Sequence, residues 1–138
     1  MIIVIRIAGN VDIWGRVEES LSRIRLRRKY SAVLLKETKE NLDILNHLRN
    51  FVAFGKLTEE QIEKLISARG IAKDKKKVDA KKVIQELKTG KVDELSIKPF
   101  FRLHPPRSGI DSKLHFGTKR GVLGDHKDKI FKLLERML

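Results

Sequence analysis

The sequence predicts an α+β fold, a two-layer β-α-β-α-β core with a basic extension appended, and three observations predict it. Short apolar, β-branched runs alternate with segments of helical period over residues 1–56. A capping-box signature then opens further helices in a middle segment rich in both signs of charge. Beyond residue 98, prolines and glycines break up a strongly basic tail that still carries alternating apolar residues.

Ile2–Ala8 is apolar and β-branched apart from Arg6, and reads as a buried strand stopped at Gly9-Asn10. Asp12 is placed to cap a helix in which Trp14, Val17, Leu21 and Ile24 recur at helical spacing. Trp14 therefore reads as core or helix–sheet packing rather than a base-stacking platform. The helix should end by Arg27-Arg28-Lys29, where cations suit the negative C-terminal dipole. Ser31–Lys36 reads as a second strand. Thr38 is the expected cap of a second helix with Leu42, Leu45 and Leu48 inward, and Phe51–Lys56 a third strand stopped at Gly55. Three strands and two helices make a small core, so added elements should stabilise it.

Thr58 and Gln61 match a capping box for a third helix, with Ile62, Leu65 and Ile66 inward and Gly70 as its stop. After the lysine run Lys73–Lys77, a fourth helix over about Ala80–Lys88 should bury Val83, Ile84 and Leu87 and end at Gly90. In 99–124 the alternations Phe101/Leu103 and Leu114/Phe116 suggest short strands between loops. Asp125 is placed to cap a final helix that docks Ile130, Phe131, Leu134 and Met137/Leu138.

The charge balance narrows the function. The 138 residues carry 31 Lys+Arg against 18 Asp+Glu, a net +13 with His neutral, and no cysteine. That excludes disulfides, thiolate metal sites and thiol nucleophiles. The surplus is uneven: +4 over residues 16–29 and +6 over 98–138, with only +2 across 57–96. Such an excess points to a polyanion, either nucleic acid or an acidic membrane surface. A membrane is the poorer choice, because the apolar stripe of the first helix is needed to cover the sheet. With aromatics at 6%, readout of splayed bases on a sheet has little support. Backbone and shape recognition of a folded RNA fits better.

The expected contacts form two clamps separated by the folded body. Arg16, Arg23, Arg25, Arg27, Arg28 and Lys29 would grip phosphates at the core. Arg102, His104, Arg107, Lys113, His115, Lys119 and Arg120 would form the second clamp on the extension. Within Phe101–Gly109, Pro105-Pro106 presets the backbone and holds Arg102, His104 and Arg107 out on a stiff loop.

Chemistry has less support. No phosphate-cradle or dinucleotide motif is present, and the histidines at 47, 104, 115 and 126 lack the i, i+4 spacing of a helical zinc site. No cofactor, metal or small-molecule substrate is expected. The competing reading is an RNA-processing enzyme with His104 and His115 as an acid–base pair beside phosphate-binding cations. No nucleophile or orienting carboxylate is identified beside them, so a non-catalytic role leads.

Several stretches also resemble a known family. Ile5-Arg6-Ile7-Ala8-Gly9, the Leu21–Lys29 run, Phe51-Val52-Ala53-Phe54-Gly55, Phe101–Gly109 and Gly121-Val122-Leu123-Gly124 with Ile130–Met137 follow one another as in the large-subunit ribosomal proteins called L-thirty in bacteria and archaea and L-seven in eukaryotes. The resemblance covers essentially the whole chain. It implies a three-stranded antiparallel sheet in a truncated ferredoxin-like core, with an L-thirty-like unit at 1–57 and an archaeal and eukaryotic type of extension at 58–138. It further implies a cytoplasmic ribosomal protein that binds large-subunit rRNA near the central protuberance. The 5S rRNA region and other large-subunit proteins would be its neighbours. Two places depart from the family pattern: Arg120-Gly121 stands where a Gly-Gly pair is usual, and Asp125-His126 where an aromatic and a basic residue often follow Leu-Gly.

Overall fold

The computed structural model describes residues 1–73, 80–89 and 96–138. Most of the lysine run and Gly90 lie outside the described residues. The order is β1 (Ile2–Arg6), α1 (Gly15–Arg23), β2 (Ser31–Leu35), α2 (Lys39–Leu48), β3 (Val52–Lys56), α3 (Glu59–Arg69) and α4 (Ala80–Thr89). Then come β4 (Phe101–Arg102), β5 (Ser112–His115), β6 (Gly121–Asp125), a 3-10 turn (Lys127–Lys129) and α5 (Ile130–Glu135).

β1 pairs antiparallel with both β2 and β3, which is the expected three-stranded sheet. The extension widens it to six strands in the order β4-β2-β1-β3-β6-β5. β4 adds antiparallel to β2, while β6 adds parallel to β3 and β5 parallel to β6 with a register shift. The extension strand β6 is absent from the sequence reading because Gly121 and Gly124 interrupt its apolar pattern. Both glycines are required by β5: a Cβ on Gly121 would lie 2.1 Å from the His115 carbonyl oxygen, and Gly124 sits at φ +87 beside the His115 ring.

Strand residues alternate between two cores, as a period of two dictates. Ile2, Val4, Val33, Val52 and Phe54 meet Leu21 of α1 and Leu45 and Leu48 of α2 on one face. Ile3, Ile5, Ala32, Leu34 and Ala53 meet α3, α4 and α5 on the other. The two-layer unit is therefore present, and the extension supplies a third layer that keeps the second sheet face dry. Gly55 lets α5 approach, since a Cβ there would lie 2.3 Å from the Lys127 carbonyl oxygen.

The helix signals mostly act as the sequence indicates. The Thr58–Gln61 capping box forms, with Gln61 Oε1 accepting from the Thr58 N–H at 3.1 Å. Thr38 accepts from the Asn41 N–H, and Gly70 closes α3. Asp12 does not cap α1. It sits at φ 56 in the preceding turn, and Trp14 occupies the N-cap without a side-chain bond. Trp14 thus falls outside the buried helical stripe and is 80% exposed, which corrects its assignment to packing. Asp125 caps only the 3-10 turn, accepting from the Lys127 N–H at 2.8 Å. Leu114 and Phe116 are largely exposed, because β5 is an edge strand.

Candidate nucleic-acid interface

The strand registers bring five loops to one end of the sheet. Arg6 at the close of β1 lies opposite Val52, and Ser31 opposite Arg102. The loops 7–14, 24–30 and 49–51, the start of 103–111, and 116–120 therefore share that end. The opposite end carries the exposed Glu37–Lys56 pair at 2.5 Å; each partner favours the other's charged form, holding Glu37 low and Lys56 high.

Arg6 organises the basic end, and sequence reasoning missed it. Its guanidinium is 1% exposed and donates to the carbonyls of Ala8 (2.9 Å), Leu26 (2.8 Å) and Gly9 (3.0 Å) and to Asn10 Oδ1 (2.6 Å). Burial pushes its pKa down and Glu18 partly opposes this. All four acceptors are neutral, so the guanidinium is satisfied by hydrogen bonds rather than by a counter-charge. One side chain thereby ties the loop after β1 to the loop after α1. The signal was present as a lone cation in an apolar strand ending at Gly9-Asn10.

Loop 24–30 is pinned along its backbone. The Leu26 N–H donates to Leu21, the Tyr30 N–H to Arg6, and Ser31 returns both its N–H and its hydroxyl to the Arg28 carbonyl. Arg25 and Tyr30 take the left-handed conformation, at φ 65 and 60. Arg27, Arg28 and Lys29 stand exposed on this fixed backbone. Among the described residues, no carboxylate lies within salt-bridge distance of these three or of Arg102.

Arg102 belongs with this cluster, and that corrects the assignment of two clamps. Because β4 pairs with β2, Arg102 joins Arg25, Arg27, Arg28 and Lys29 around a cavity of about 540 Å³ walled by Tyr30, Pro99 and Phe100. Arg102 lies over the Phe100 ring, and the Lys29 ammonium over Tyr30 at 4.8 Å. The remaining extension cations follow the chain across the sheet. Residues 103–111 run over the end of α5, where His104 N–H donates to Met137 and the Arg136 guanidinium holds the carbonyls of Arg107 and Gly109. Lys113, His115, Lys119 and Arg120 sit at the β5 edge, with His115 bonded to Asn50 Oδ1 at 2.9 Å and Arg120 3.8 Å from Asp111. Five inter-strand steps separate β4 from β5, or roughly 24 Å. On the first helix, Arg16 is exposed and Arg23 pairs with Glu19 at 2.7 Å.

The acid–base reading of His104 and His115 fails on this geometry. His104 lies just past β4 and His115 on β5, at opposite edges and on the order of 20 Å apart, whereas one phosphate must touch both. Asp125 faces the 3-10 turn and His126 is buried against Phe116, so neither of these two residues offers a free cation at the basic end, whereas Arg120 is exposed.

No family model matches the chain. Individual relatives do. A large ribosomal subunit protein uL30 from Archaeoglobus fulgidus is 31% identical over 153 aligned positions, covering 99% of both chains. The chain belongs to the uL30 family. The uL30 proteins of Aeropyrum pernix, at 32% identity over 98% of this chain and 97% of its own, and of Methanobrevibacter smithii, at 29% over the full length of both, agree with that assignment. The Leu21–Lys29 and Phe101–Gly109 stretches both contribute residues to the wall of the basic cavity.

Proposed function

We propose that this chain is a non-catalytic structural constituent of the large ribosomal subunit, and so of the cytoplasmic ribosome, binding rRNA through the basic end of its sheet. Its membership of a family of large ribosomal subunit proteins supports the setting. The observation that carries the contact surface is the cavity lined by Arg25, Arg27, Arg28, Lys29 and Arg102, with fixed backbones and unpaired charge at Arg27, Arg28, Lys29 and Arg102 among the described residues. Planar guanidinium forks there match phosphate oxygens bidentately. Lys113, His115, Lys119 and Arg120 form a second group at the far edge, with His104 and Arg107 on the crossing segment between. A row of this width suits bridging two RNA segments.

The finer placement follows the family resemblance: the central protuberance, with the 5S rRNA region and other large-subunit proteins as neighbours. Residues 1–57 are the common unit and 58–138 the extension. The test is binding to a large-subunit rRNA fragment across a salt series. The affinity should fall by about 0.7–0.9 log units per log unit of salt for each phosphate contact. A flat salt dependence, or loss of the protein from large subunits in a mild wash, refutes the reading.

A further inference from the structure

The loop joining β1 to α1 carries the most exposed apolar residues of the described chain, Val11 at 85% and Trp14 at 80%. We propose that Trp14, flanked by Val11, is a stacking site for an unpaired RNA base; this rests on the rRNA-binding reading above and adds to its phosphate contacts a recognition of single-stranded bases.

Three features support that occupant. First, the backbone that carries the indole is fixed. The Trp14 carbonyl accepts from the N–H groups of Val17 and Glu18 at 2.9 and 3.1 Å, and Arg6 anchors Gly9 and Asn10 at the other end of the loop. Second, the surface beside Trp14 is open, since a Cβ on the adjacent Gly15 would meet nothing within 4 Å. A flat ring therefore has open space beside it. Third, the same guanidinium that holds Gly9 and Asn10 also holds the Leu26 carbonyl, between Arg25 and Arg27. The loop that ends at Trp14 is thereby joined to the loop that carries Arg25 and Arg27, and the exposed Arg16 lies two residues from the ring, the pairing of stacking ring and cations that single-stranded nucleic acid uses. Asp12 and Glu18 are the acidic neighbours, but residues 16–29 still net +4. A protein hot spot is the poorer occupant, because a Trp and a Val ringed by charges lack a surrounding apolar rim.

Trp14 is the single tryptophan, so its emission reports the site directly. The full chain is titrated with a short oligoadenylate and, separately, with a duplex RNA of the same length. The inference expects both RNAs to bind with steep salt dependence, but only the oligoadenylate to quench Trp14 emission. Trp14→Ala should weaken oligoadenylate binding by about tenfold and duplex binding hardly at all, with Trp14→Phe in between. The N-cap role of Trp14 uses only its backbone, so these variants keep the fold, checked by unchanged denaturation midpoints. RNA binding without any change in Trp14 emission, or equal losses for both RNAs in Trp14→Ala, overturns the stacking site while leaving rRNA binding intact. Failure of both RNAs to bind overturns the parent reading as well.

Discussion

Replacing Arg6 by Met should cost both stability and RNA affinity, and the size of each follows from its partners. The guanidinium makes four hydrogen bonds to neutral acceptors, each worth about 1.5–3 kcal/mol for a charged donor. The simple sum of ~6–12 kcal/mol is an upper bound, because bonds made by one side chain are not additive and the Met variant buries apolar surface in its place. Once the arginine is gone, the carbonyls of Ala8 and Gly9 and the Asn10 side chain, which are part-buried, regain water. Leu26 does not, since its bond to Arg6 is buried. A net loss of ~2–4 kcal/mol results, and for a chain of this size that lowers Tm by about 10 °C.

Urea denaturation measures the first effect, and RNA titration well below the lower Tm measures the second. Affinity should fall further than the removal of one solvent-inaccessible charge explains, because the 24–30 loop loses its anchor and Arg27, Arg28 and Lys29 must be ordered on binding. Hydrogen exchange of the hydrogen-bonded loop amides of Leu26 and Tyr30 should speed up in the variant. An Arg6→Met protein within about 0.5 kcal/mol of the parent, with unchanged affinity and exchange, refutes the account of Arg6 as an organising residue.

Other outcomes follow from the same geometry. Arg28→Ala and Arg102→Ala should be non-additive in RNA affinity because they share a cavity, whereas Arg28→Ala and Lys119→Ala, at opposite edges, should add within about 0.5 kcal/mol. Gly55→Ala should destabilise by about 2 kcal/mol or more in urea melts, since its Cβ meets the backbone at Lys127 and the Ile130 side chain. His126 is buried and its pKa is depressed below 6.5, chiefly by desolvation; the unfolded chain then binds more protons in mildly acid solution. Stability is therefore full above pH ~6.5 and declines as pH falls below it. The pH dependence of the urea midpoint should flatten in His126→Gln.

The core was legible because period and position agree there. Each of β1, β2 and β3 is an apolar run, each buried helix face repeats at three or four, and Thr38, Thr58 and Gly70 do at the helix ends what their chemistry dictates. In the extension, the Phe101/Leu103 and Leu114/Phe116 alternations announce β4 and β5, but β6 was harder to read because it has glycines where apolar residues would mark a strand. Trp14 was misplaced because one residue decides the start of α1: at Gly15, the helix leaves the ring outside its stripe. At the basic end, the sequence shows the cations but not their grouping. Arg102 and Arg28 are far apart in the chain and meet only through the antiparallel pairing of Ser31 with Arg102.

That pairing also explains why the extension both covers and charges the same body. Its two outer strands come from one stretch of chain yet lie at opposite edges of the sheet, so residues 103–111 must cross over α5 to connect them. The crossing buries Leu103 and Pro106 against the core while leaving His104 and Arg107 exposed at the surface. The cost of this arrangement concentrates at the loops. Arg25, Lys119 and Arg120 are non-glycine residues in the left-handed region, a conformation that costs an L-residue about 1–2 kcal/mol. They lie in the two cation loops at either side of the sheet, whereas the registered core strands β1, β2 and β3 contain no such residue. At position 120 a glycine would relieve the strain, and arginine carries it together with an exposed cation. Strain retained where the charges face solvent, on a scaffold with two dry sheet faces, fits the proposed binding of a polyanion: the core supplies the stability that lets the loops hold charge in place.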